Sequence, residues 1–299
     1  MPTISVILAC HNAERYLASA VRSIVAQTFR DFELILIEDG STDRSSEICR
    51  QLAAEDSRIK LVSRPNKGLT KTLNEGLSLA TAPLIARMDA DDLSLPSRFE
   101  KQVAYLNQHP DCVCLGSRVT LIDPYDSPIS VTDHKLDHGG IDADLLKGIG
   151  WAIVHPAAMM RTDAMRRVGG YREQFTTSQD LDLWLRLAEI GKLANLSEPL
   201  LQYRQHFESV ASTKHEEQWR MKEQIVGDAY DRRGIARPKQ WPFNKRVPLP
   251  VVEQLKRWAW AALKAGNPSV ARKHATQVLK KDPFSIDSWR VMYCALRGR

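Results

Sequence analysis

Three carboxylates lie within four residues in the run Asp89-Ala90-Asp91-Asp92. Like charges this close repel one another, so the run is unfavourable unless a cation or solvent screens it. Hard divalent cations such as Mg²⁺ and Mn²⁺ take carboxylate oxygens and often share their remaining positions with phosphates. The run follows an apolar segment, which favours a metal site over the alternative, an acidic turn capping the helix that begins near Pro96.

Other acids and histidines offer further chemistry. In EDGSTD, the carboxylate of Asp39 could accept hydrogen bonds from the N–H groups of a ligand, for instance a pyrimidine imide, and His11 could stack on a base. From spacing alone, an ordinary turn and a surface histidine explain these two residues better. Asp180 and Asp182 begin a helix, where carboxylates are favoured by the dipole, but one of them could instead serve as a general base. His155 and His206 are candidate metal or phosphate partners, against the commoner role of hydrogen-bonded histidines.

The elements that must position these residues alternate between strand and helix in the first half of the chain. Apolar strands are predicted at 4–10, 32–39, 59–64, around 83–89 and at 112–123, with helices between them. Such alternation predicts a parallel sheet covered by helices on both faces. Ligands of such sheets bind outside the carboxyl ends of the strands. That rule selects residues 9–12, 38–41 and 89–92, where the polar residues cluster.

The rest of the chain is less regular. Residues 124–150 are predicted to be a long irregular connection and a candidate mobile loop. The segment 193–206 is typical of an antiparallel strand pair or a strand with a turn, and three short helices are predicted after residue 250. Residues 1–211 carry 23 basic and 28 acidic residues, whereas residues 212–299 carry 19 and 8, together with five of the seven tryptophans. Two segments of different physical character are therefore predicted.

Composition and missing motifs exclude several classes. The chain has 299 residues, 43% of them hydrophobic and 26% charged, which is typical of a globular protein with one large domain or two modest ones. No apolar run approaches the length of a membrane span, and the N-terminus predicts a strand and not a secretory signal. Five scattered cysteines indicate reduced cytosolic thiols. P-loop, dinucleotide-binding and hydrolase-elbow motifs do not occur.

Taken in order, several segments resemble the family-2 glycosyltransferases with the GT-A fold. They are ISVILACHN, QTFRDFELILIEDGSTD, NKGLTKTLNEGL, RMDADDLSLPSRFEKQ, VHPAAMMRTDAMRRVGGYREQF, SQDLDLWLRLAE and LLQYRQHFESVAS. The resemblance covers about residues 3–212. It implies an α/β fold, a GT-A Rossmann-like, mostly parallel sheet flanked by helices, with an α-helical C-terminal extension. We divide the chain into a glycosyltransferase domain at 1–212 and a basic, Trp-rich extension at 213–299, weakly similar to tetratricopeptide repeats at 251–297.

The resemblance also implies roles for individual residues. Asp180 matches the catalytic base, Asp89 and Asp91 match the D-x-D that holds metal and diphosphate, and His206 is a third candidate ligand of Mg²⁺ or Mn²⁺. His155 and Trp184 are expected on the acceptor side. The expected nucleotide-sugar contacts are Ala9, His11, Asp39, Asn66, Gly68, Asn74, Asp89 and Ala90. The sequence departs from the family pattern where His11 replaces an aromatic residue, Gln179 replaces a glutamate and Leu73 replaces an arginine.

The function implied is an inverting, metal-dependent transfer of sugar from a nucleoside-diphosphate sugar, with a UDP-sugar favoured, to a hydroxyl of a glycan or lipid-linked acceptor. Surface polysaccharide biosynthesis in the cytoplasm, at the inner face of the membrane, is the expected setting. A nucleotidyltransferase or an inactive nucleotide-sugar-binding module are the alternatives. The basic extension predicts binding to an anionic membrane surface, with a partner protein as the alternative; no nucleic-acid motif accompanies its charge.

Overall fold

A computed structural model describes residues 1–207, 215–241, 243 and 249–298. Within these residues, nine strands form one sheet in the order β3-β2-β1-β4-β8-β6-β9-β5, with β7 paired to the outer part of β6. The strands are β1 (Ile4–Cys10), β2 (Phe32–Asp39), β3 (Ile59–Arg64), β4 (Leu84–Asp89), β5 (Leu93–Ser94), β6 (Cys112–Ile122), β7 (Pro128–Val131), β8 (Met159–Arg161) and β9 (Lys192–Arg204).

Helices follow most strands and cover both faces of the sheet. They are α1 (Leu17–Val25), α2 (Ser45–Glu55), α3 (Leu69–Leu79), α4 (Arg98–Gln108), α5 (His138–Leu146), α6 (Thr162–Arg167), α7 (Gln179–Ala188), α8 (His215–Arg232), α9 (Val251–Lys264), α10 (Pro268–Lys281) and α11 (Ile286–Arg297).

Strands β3, β2, β1 and β4 run parallel and carry the predicted ligand edge. Nearly every residue of β1, β2 and β4 is buried and most are apolar, as expected for strands covered on both faces. In β3, the edge strand, only Ile59 is buried. In the register of the sheet, Ala9 lies beside Asp89 and Cys10 beside Glu38, so the ends of three strands meet at one edge. The predicted fold class is confirmed: a mostly parallel sheet flanked by helices, followed by C-terminal helices.

Beyond β4, the sheet continues with a strand arrangement that the sequence did not predict. Strand β8 is antiparallel to both β4 and β6, and β9 runs parallel to β6 as one long strand. The expected strand pair at 193–206 is therefore wrong. The register slips where Arg118 faces Pro199, because the two residues before this proline bulge out and proline has no N–H to give to the ladder. The residues of this bulge gave the segment the sequence pattern that is typical of a turn.

The segment 124–150 is also more ordered than expected. It contains β7, which forms a hairpin with β6, and α5, whose N-terminus is capped by Asp137 through the backbone N–H of Gly140. The polar, glycine-rich composition that predicted an irregular loop belongs to the turns and the helix cap. The prediction of one long irregular connection is wrong.

The last three helices pack as a unit against the β6–β7 hairpin. A small apolar cluster joins Ile129 of β7 to Leu255 and Trp258 of α9 and Val278 of α10. The predicted domain boundary at 212/213 lies outside the described residues, and the two-domain division stays a prediction. None of the helices in the described ranges is long and apolar enough to cross a membrane.

The contact between the helical unit and the hairpin makes a prediction about pH. His274 is 1% exposed, and burial lowers its pKa to about 4, whereas its ordinary value is 6.5. Between these values the unfolded chain binds a proton that the native chain excludes, so stability falls as pH falls. We expect His274 to lower the free energy of unfolding by about 2 kcal/mol when the pH falls from 7 to 5.

Urea unfolding of the full chain at both pH values tests this prediction. The variant His274→Gln should lose that part of the pH dependence. The matched control is His109→Gln, because that ring stacks on Tyr105 away from the helical unit. A His274→Gln variant with the same pH dependence as the unaltered chain would contradict the prediction.

Candidate active site

The acidic run lies at the carboxyl end of β4. Asp89 is the last residue of the strand, and oxygens of Asp89, Asp91 and Asp92 all lie within 4.8 Å of one another. Burial raises the pKa of Asp89 and of Asp92, and the neighbouring carboxylates raise both further. One oxygen of Asp92 accepts the backbone N–H of Arg204 at 2.8 Å, whereas Oδ2 is buried without a hydrogen-bond partner.

This donor set fits a hard divalent cation. An orphaned, buried carboxylate oxygen beside two other carboxylates is unfavourable in an apolar surrounding, and a cation would satisfy it. Sequence reasoning selected Asp89 and Asp91 as ligands and omitted Asp92. The signal was present, since Asp92 completes the run of three acids, but its burial could not be read from the spacing.

Positive and polar groups surround the acidic turn. The guanidinium of Arg87, on β4 and 3% exposed, forms an ion pair with Asp89. His206 places Nε2 at 2.7 Å from Oδ2 of Asp91, so the structure brings this predicted ligand to the cluster. Arg204, at the end of β9, donates from Nε to the backbone oxygen of Asp91 at 2.7 Å. The last residues of β9 therefore hold the turn that carries the acids.

The predicted nucleotide-binding residues meet at the neighbouring strand ends. Nδ1 of His11 lies 3.0 Å from the backbone oxygen of Asp39 and 3.1 Å from the side-chain nitrogen of Asn66. The Asp39 carboxylate accepts the backbone N–H groups of Lys67 at 2.8 Å and Gly68 at 3.1 Å. Asp39 thus fastens the loop after β3 against the end of β2, and His11 stays exposed above it.

Arg64 and Gly40 complete this corner. Burial opposes ionisation of Asp39, but the loop N–H groups and the guanidinium of Arg64 outweigh it and lower its pKa. Gly40 has a φ of +68°, and a Cβ there would lie 2.4 Å from the backbone nitrogen of Asn66. Glycine is therefore required where the two chain segments approach. Ala9 and Ala90 flank Asp89, on the adjacent strand and on the next residue, and so link this corner to the acidic turn.

Asn74 holds the segment before α7. Its side-chain nitrogen donates to the backbone oxygen of Tyr171 at 2.8 Å, and its side-chain oxygen accepts the backbone N–H of the same residue at 2.9 Å. Both ends of the amide thus tether the chain that leads to Asp180. The contact of Asn74 with the nucleotide stays a prediction.

The two acids at the start of α7 differ in their surroundings. Asp182 is fully buried and is held by Arg172 and Arg186. Asp180 is partly exposed and accepts the backbone N–H of Leu181 at 2.9 Å. Burial of its carboxylate raises the pKa of Asp180, which makes it a stronger base when ionised. Ser178, with a φ of +57°, turns the chain sharply just before the helix.

The expected acceptor-side residues lie below the surface. His155 is 8% exposed, its Nε2 lies 2.7 Å from the hydroxyl of Tyr171, and burial holds its pKa well below the ordinary range. Trp184 is fully buried and packs edge-to-face on His155, with ring centroids 5.6 Å apart. Trp184 therefore supports His155 from within the core, and the acceptor-side role of the two residues stays a prediction.

One charge connects these groups. The positive charge of Arg87 lowers the pKa values of Asp89, Asp92 and Asp180, whereas burial raises them. For His155, the charge of Arg87 and burial both lower the pKa. The acidic turn and the start of α7 therefore share one electrostatic environment. Sequence reasoning missed Arg87; a lone arginine two residues before Asp89 in an apolar strand was the available signal.

Several known proteins are similar to this chain in sequence. EpsE from Bacillus subtilis is 40% identical over 209 residues, covering 68% of this chain and 73% of that protein. The O-antigen biosynthesis glycosyltransferase WbnJ from Escherichia coli is 37% identical over 213 residues, 69% of this chain and 81% of that protein. The amylovoran biosynthesis glycosyltransferase AmsE from Erwinia amylovora is 30% identical over 204 residues, 67% and 75% of the two chains.

Solved structures extend the likeness in fold to almost the whole chain. S. aureus TarS 1-349 in complex with UDP-GlcNAc aligns with a TM-score of 0.61 at 16% identity, over 99% of this chain and 92% of that one. The mannosyltransferase PcManGT from Pyrobaculum calidifontis, in complex with GDP-Man and Mn²⁺, aligns with a TM-score of 0.54 at 17% identity, over 99% and 80%. The family model for glycosyl transferase family 2 matches residues 5–169, more than half of the sequence. The chain belongs to glycosyl transferase family 2 and is a glycosyltransferase.

Proposed function

We propose that this glycosyltransferase moves a sugar from a nucleoside-diphosphate sugar to an acceptor hydroxyl with inversion at the anomeric carbon. The observation that carries the proposal is the pairing of an acidic, cation-suited turn with a carboxyl of raised pKa, Asp180, around the charge of Arg87. Family membership favours this reaction over nucleotidyl transfer and over a binding module without catalysis.

The acidic turn would hold the cofactor, Mg²⁺ or Mn²⁺. Asp89, Asp91, Asp92 and His206 would be its protein contacts, and the bound cation would offset the negative charge that grows on the departing nucleoside diphosphate. The chemistry of the carboxylate oxygens and the orphaned Oδ2 of Asp92 support this assignment. The presence of Mn²⁺ with GDP-Man in the archaeal mannosyltransferase is consistent with it.

The corner formed by His11, Asp39, Asn66 and Gly68 would bind the nucleoside. The exposed imidazole of His11 offers a face on which a base can stack, and Asp39 keeps the surrounding loop in place. We favour a UDP-sugar donor, because TarS of similar fold was solved with UDP and with UDP-GlcNAc. Ala9 and Ala90 leave room for the ribose and diphosphate between this corner and the acidic turn.

Asp180 would act as the general base. Its carboxylate takes the proton of the acceptor hydroxyl as that oxygen bonds to the anomeric carbon from the face opposite the diphosphate. The bond from the anomeric carbon to the diphosphate oxygen breaks, and the nucleoside diphosphate leaves with the electron pair. A single displacement inverts the configuration. His155, neutral and held by Tyr171, would support the acceptor side of the pocket from beneath.

The acceptor is proposed to be a glycan, free or lipid-linked, in surface polysaccharide biosynthesis. WbnJ and AmsE carry O-antigen and amylovoran biosynthesis in their names, which supports this class. We place the reaction in the cytoplasm at the inner face of the membrane, where a lipid-linked acceptor would be reached.

The last helix offers the surface for such contact. Five large apolar side chains on or just before α11 are 54–97% exposed, namely Phe284, Ile286, Trp289, Tyr293 and Leu296. Arg290 and Arg297 lie on the same helix, and Lys280 and Lys281 end the helix before it. Exposed aromatic rings among basic groups suit an interface with anionic headgroups. Trp258, another tryptophan of the basic extension, is only 4% exposed and packs on His274 inside the helical unit.

The base assignment predicts the effect of Asp180→Asn. The substitution removes the proton acceptor and retains the size of the side chain, so turnover should fall by about 10²–10⁴-fold. Release of UDP from UDP-sugars in the presence of an acceptor panel measures turnover, and calorimetry should show unchanged UDP binding. The control is Asp133→Asn, whose side chain is 90% exposed. Turnover of Asp180→Asn near that of the control would contradict the assignment.

The metal assignment predicts that transfer requires a divalent cation. EDTA should abolish UDP release, and Mn²⁺ or Mg²⁺ should restore it. Asp91→Ala should bind Mn²⁺ at least tenfold more weakly in titration calorimetry, because a carboxylate oxygen and the contact with His206 are both lost. Full activity in EDTA, or unaltered Mn²⁺ affinity of Asp91→Ala, would contradict the metal site.

The membrane assignment predicts binding of the full chain to vesicles that contain anionic lipid. Co-sedimentation should be strong at low salt and weaken as salt shortens the Debye length. Trp289→Glu should reduce the bound fraction several-fold, whereas Leu79→Glu, a 43% exposed residue on α3, should not. Equal binding by both variants, or none by the unaltered chain, would contradict a role for this face and favour a protein partner.

A further inference from the structure

We propose that the C-terminal helical unit, α9–α11, positions the metal-binding turn through two contacts, one with Asp123 of the β6–β7 hairpin and one with Phe207 after β9. Lys273 and Trp258 are the positioning residues of this unit. The inference rests on the proposed metal site, but the contacts that carry it lie outside that site and do not depend on the presence of a cation.

Arg204 connects the acidic turn to the β6–β7 hairpin, on which the first contact lies. It is 3% exposed, donates its backbone N–H to Asp92 and its Nε to the backbone oxygen of Asp91. Its Nη1 donates to the backbone oxygen of Asp123 at 3.2 Å. The guanidinium also lies over the ring of Tyr16 at 4.3 Å. Arg204 therefore spans the gap between the acidic turn and the β6–β7 hairpin.

Asp123 connects that hairpin to the helical unit. Its side chain is 1% exposed, and one oxygen accepts the backbone N–H groups of Tyr125 at 2.8 Å and Ser127 at 2.9 Å. The other oxygen accepts Nζ of Lys273 at 2.6 Å, and the same nitrogen lies 2.7 Å from the hydroxyl of Ser127. Burial would raise the pKa of Asp123, but Lys273 and the turn N–H groups lower it.

Without Lys273, the Asp123 carboxylate would be a buried charge without its cation. Breaking such a pair by removing one partner is costly, and the remaining charge must find solvent or a new partner. The hairpin turn, whose shape the same carboxylate fixes, would then shift. Because Arg204 is bonded to the backbone of Asp123, that shift would reach Asp91 and Asp92.

The second contact runs through aromatic rings. Trp258 of α9 is buried and packs on Phe207 with ring centroids 4.9 Å apart. The residue before it, His206, holds Asp91 through Nε2 and packs on Tyr16 with centroids 5.6 Å apart. Two different helices thus act on the two ends of the segment from Arg204 to Phe207, and both contacts lead to Asp91.

Lys273→Met tests the first contact, because methionine keeps the apolar stem and removes the charge. We expect the Kd for Mn²⁺, measured by titration calorimetry on the full chain, to rise about tenfold. Lys273→Arg should retain most of the affinity. The matched control is Lys264→Met, an exposed lysine on α9 of the same helical unit, which should leave the Kd unchanged. In the double variant with Asp123→Asn, the buried negative charge is gone, and part of the affinity should return.

A metal-free readout separates this inference from the proposed function. The imidazole resonances of His206, followed by NMR without any cation, should shift in Lys273→Met and stay in place in Lys264→Met. Trp258→Leu should shift them as well, with Trp260→Leu, 36% exposed on the same helix, as its control. Absence of Mn²⁺ binding by the unaltered chain would contradict the metal site alone. Unmoved His206 resonances in both test variants, or equal effects in test and control variants, would overturn the positioning role.

Discussion

The arrangement of this active site depends on one buried guanidinium. Arg87 lies in an apolar strand, 3% exposed, and two residues later the same strand ends in the acidic turn. Taking an arginine out of water is expensive unless counter-charges surround it. Here Asp89 pairs with it directly, and Asp92 and Asp180 lie within reach of its field. The acids and the arginine therefore require one another.

The same constraint explains how one site can contain acids of different behaviour. Asp182 is fully buried but paired with two arginines, so it serves the structure of α7. Asp180, two residues earlier, is influenced by the charges of Arg87 and Lys222, but burial outweighs them and raises its pKa. Asp39 is buried as deeply as many core residues, yet loop N–H groups keep its pKa low. The pKa of each carboxylate therefore depends on its local hydrogen bonds and ion pairs and not on the residue type, which is Asp in all three cases.

Much of this architecture could be predicted from the sequence. The apolar runs of β1, β2 and β4 and the polar residues that follow them identified the ligand edge, since strand ends in a parallel sheet meet. The bulge of β9 at Pro199 and the order within 124–150 could not be predicted, because both depend on pairing with β6. The resemblance assigned Trp184 to the acceptor side and Asn74 to the nucleotide, but it did not show that Trp184 is fully buried or that Asn74 is bonded to the backbone of Tyr171. The burial of Asp92 and Arg87 also depends on the folded turn and could not be predicted from the spacing.

The extension after α8 also differs from its sequence-based description as a separate basic segment. Lys273 and Trp258 are turned inward against the hairpin and against Phe207, while the exposed apolar side chains gather on α11. One face of the unit thus packs against the β6–β7 hairpin and the end of the sheet, and α11 exposes its apolar side chains to solvent. The positive charge that distinguished this segment is in part a structural counter-charge for Asp123.

We propose that cation and nucleoside diphosphate meet at the acidic turn. Anomalous diffraction from a crystal of the full chain soaked with Mn²⁺ and UDP tests this proposal. We expect an Mn²⁺ peak in contact with carboxylate oxygens of Asp89, Asp91 or Asp92, with the UDP diphosphate on the cation and the base near His11. UDP bound at that corner without any Mn²⁺ peak at the acidic turn, or Mn²⁺ bound elsewhere with the diphosphate, would contradict it.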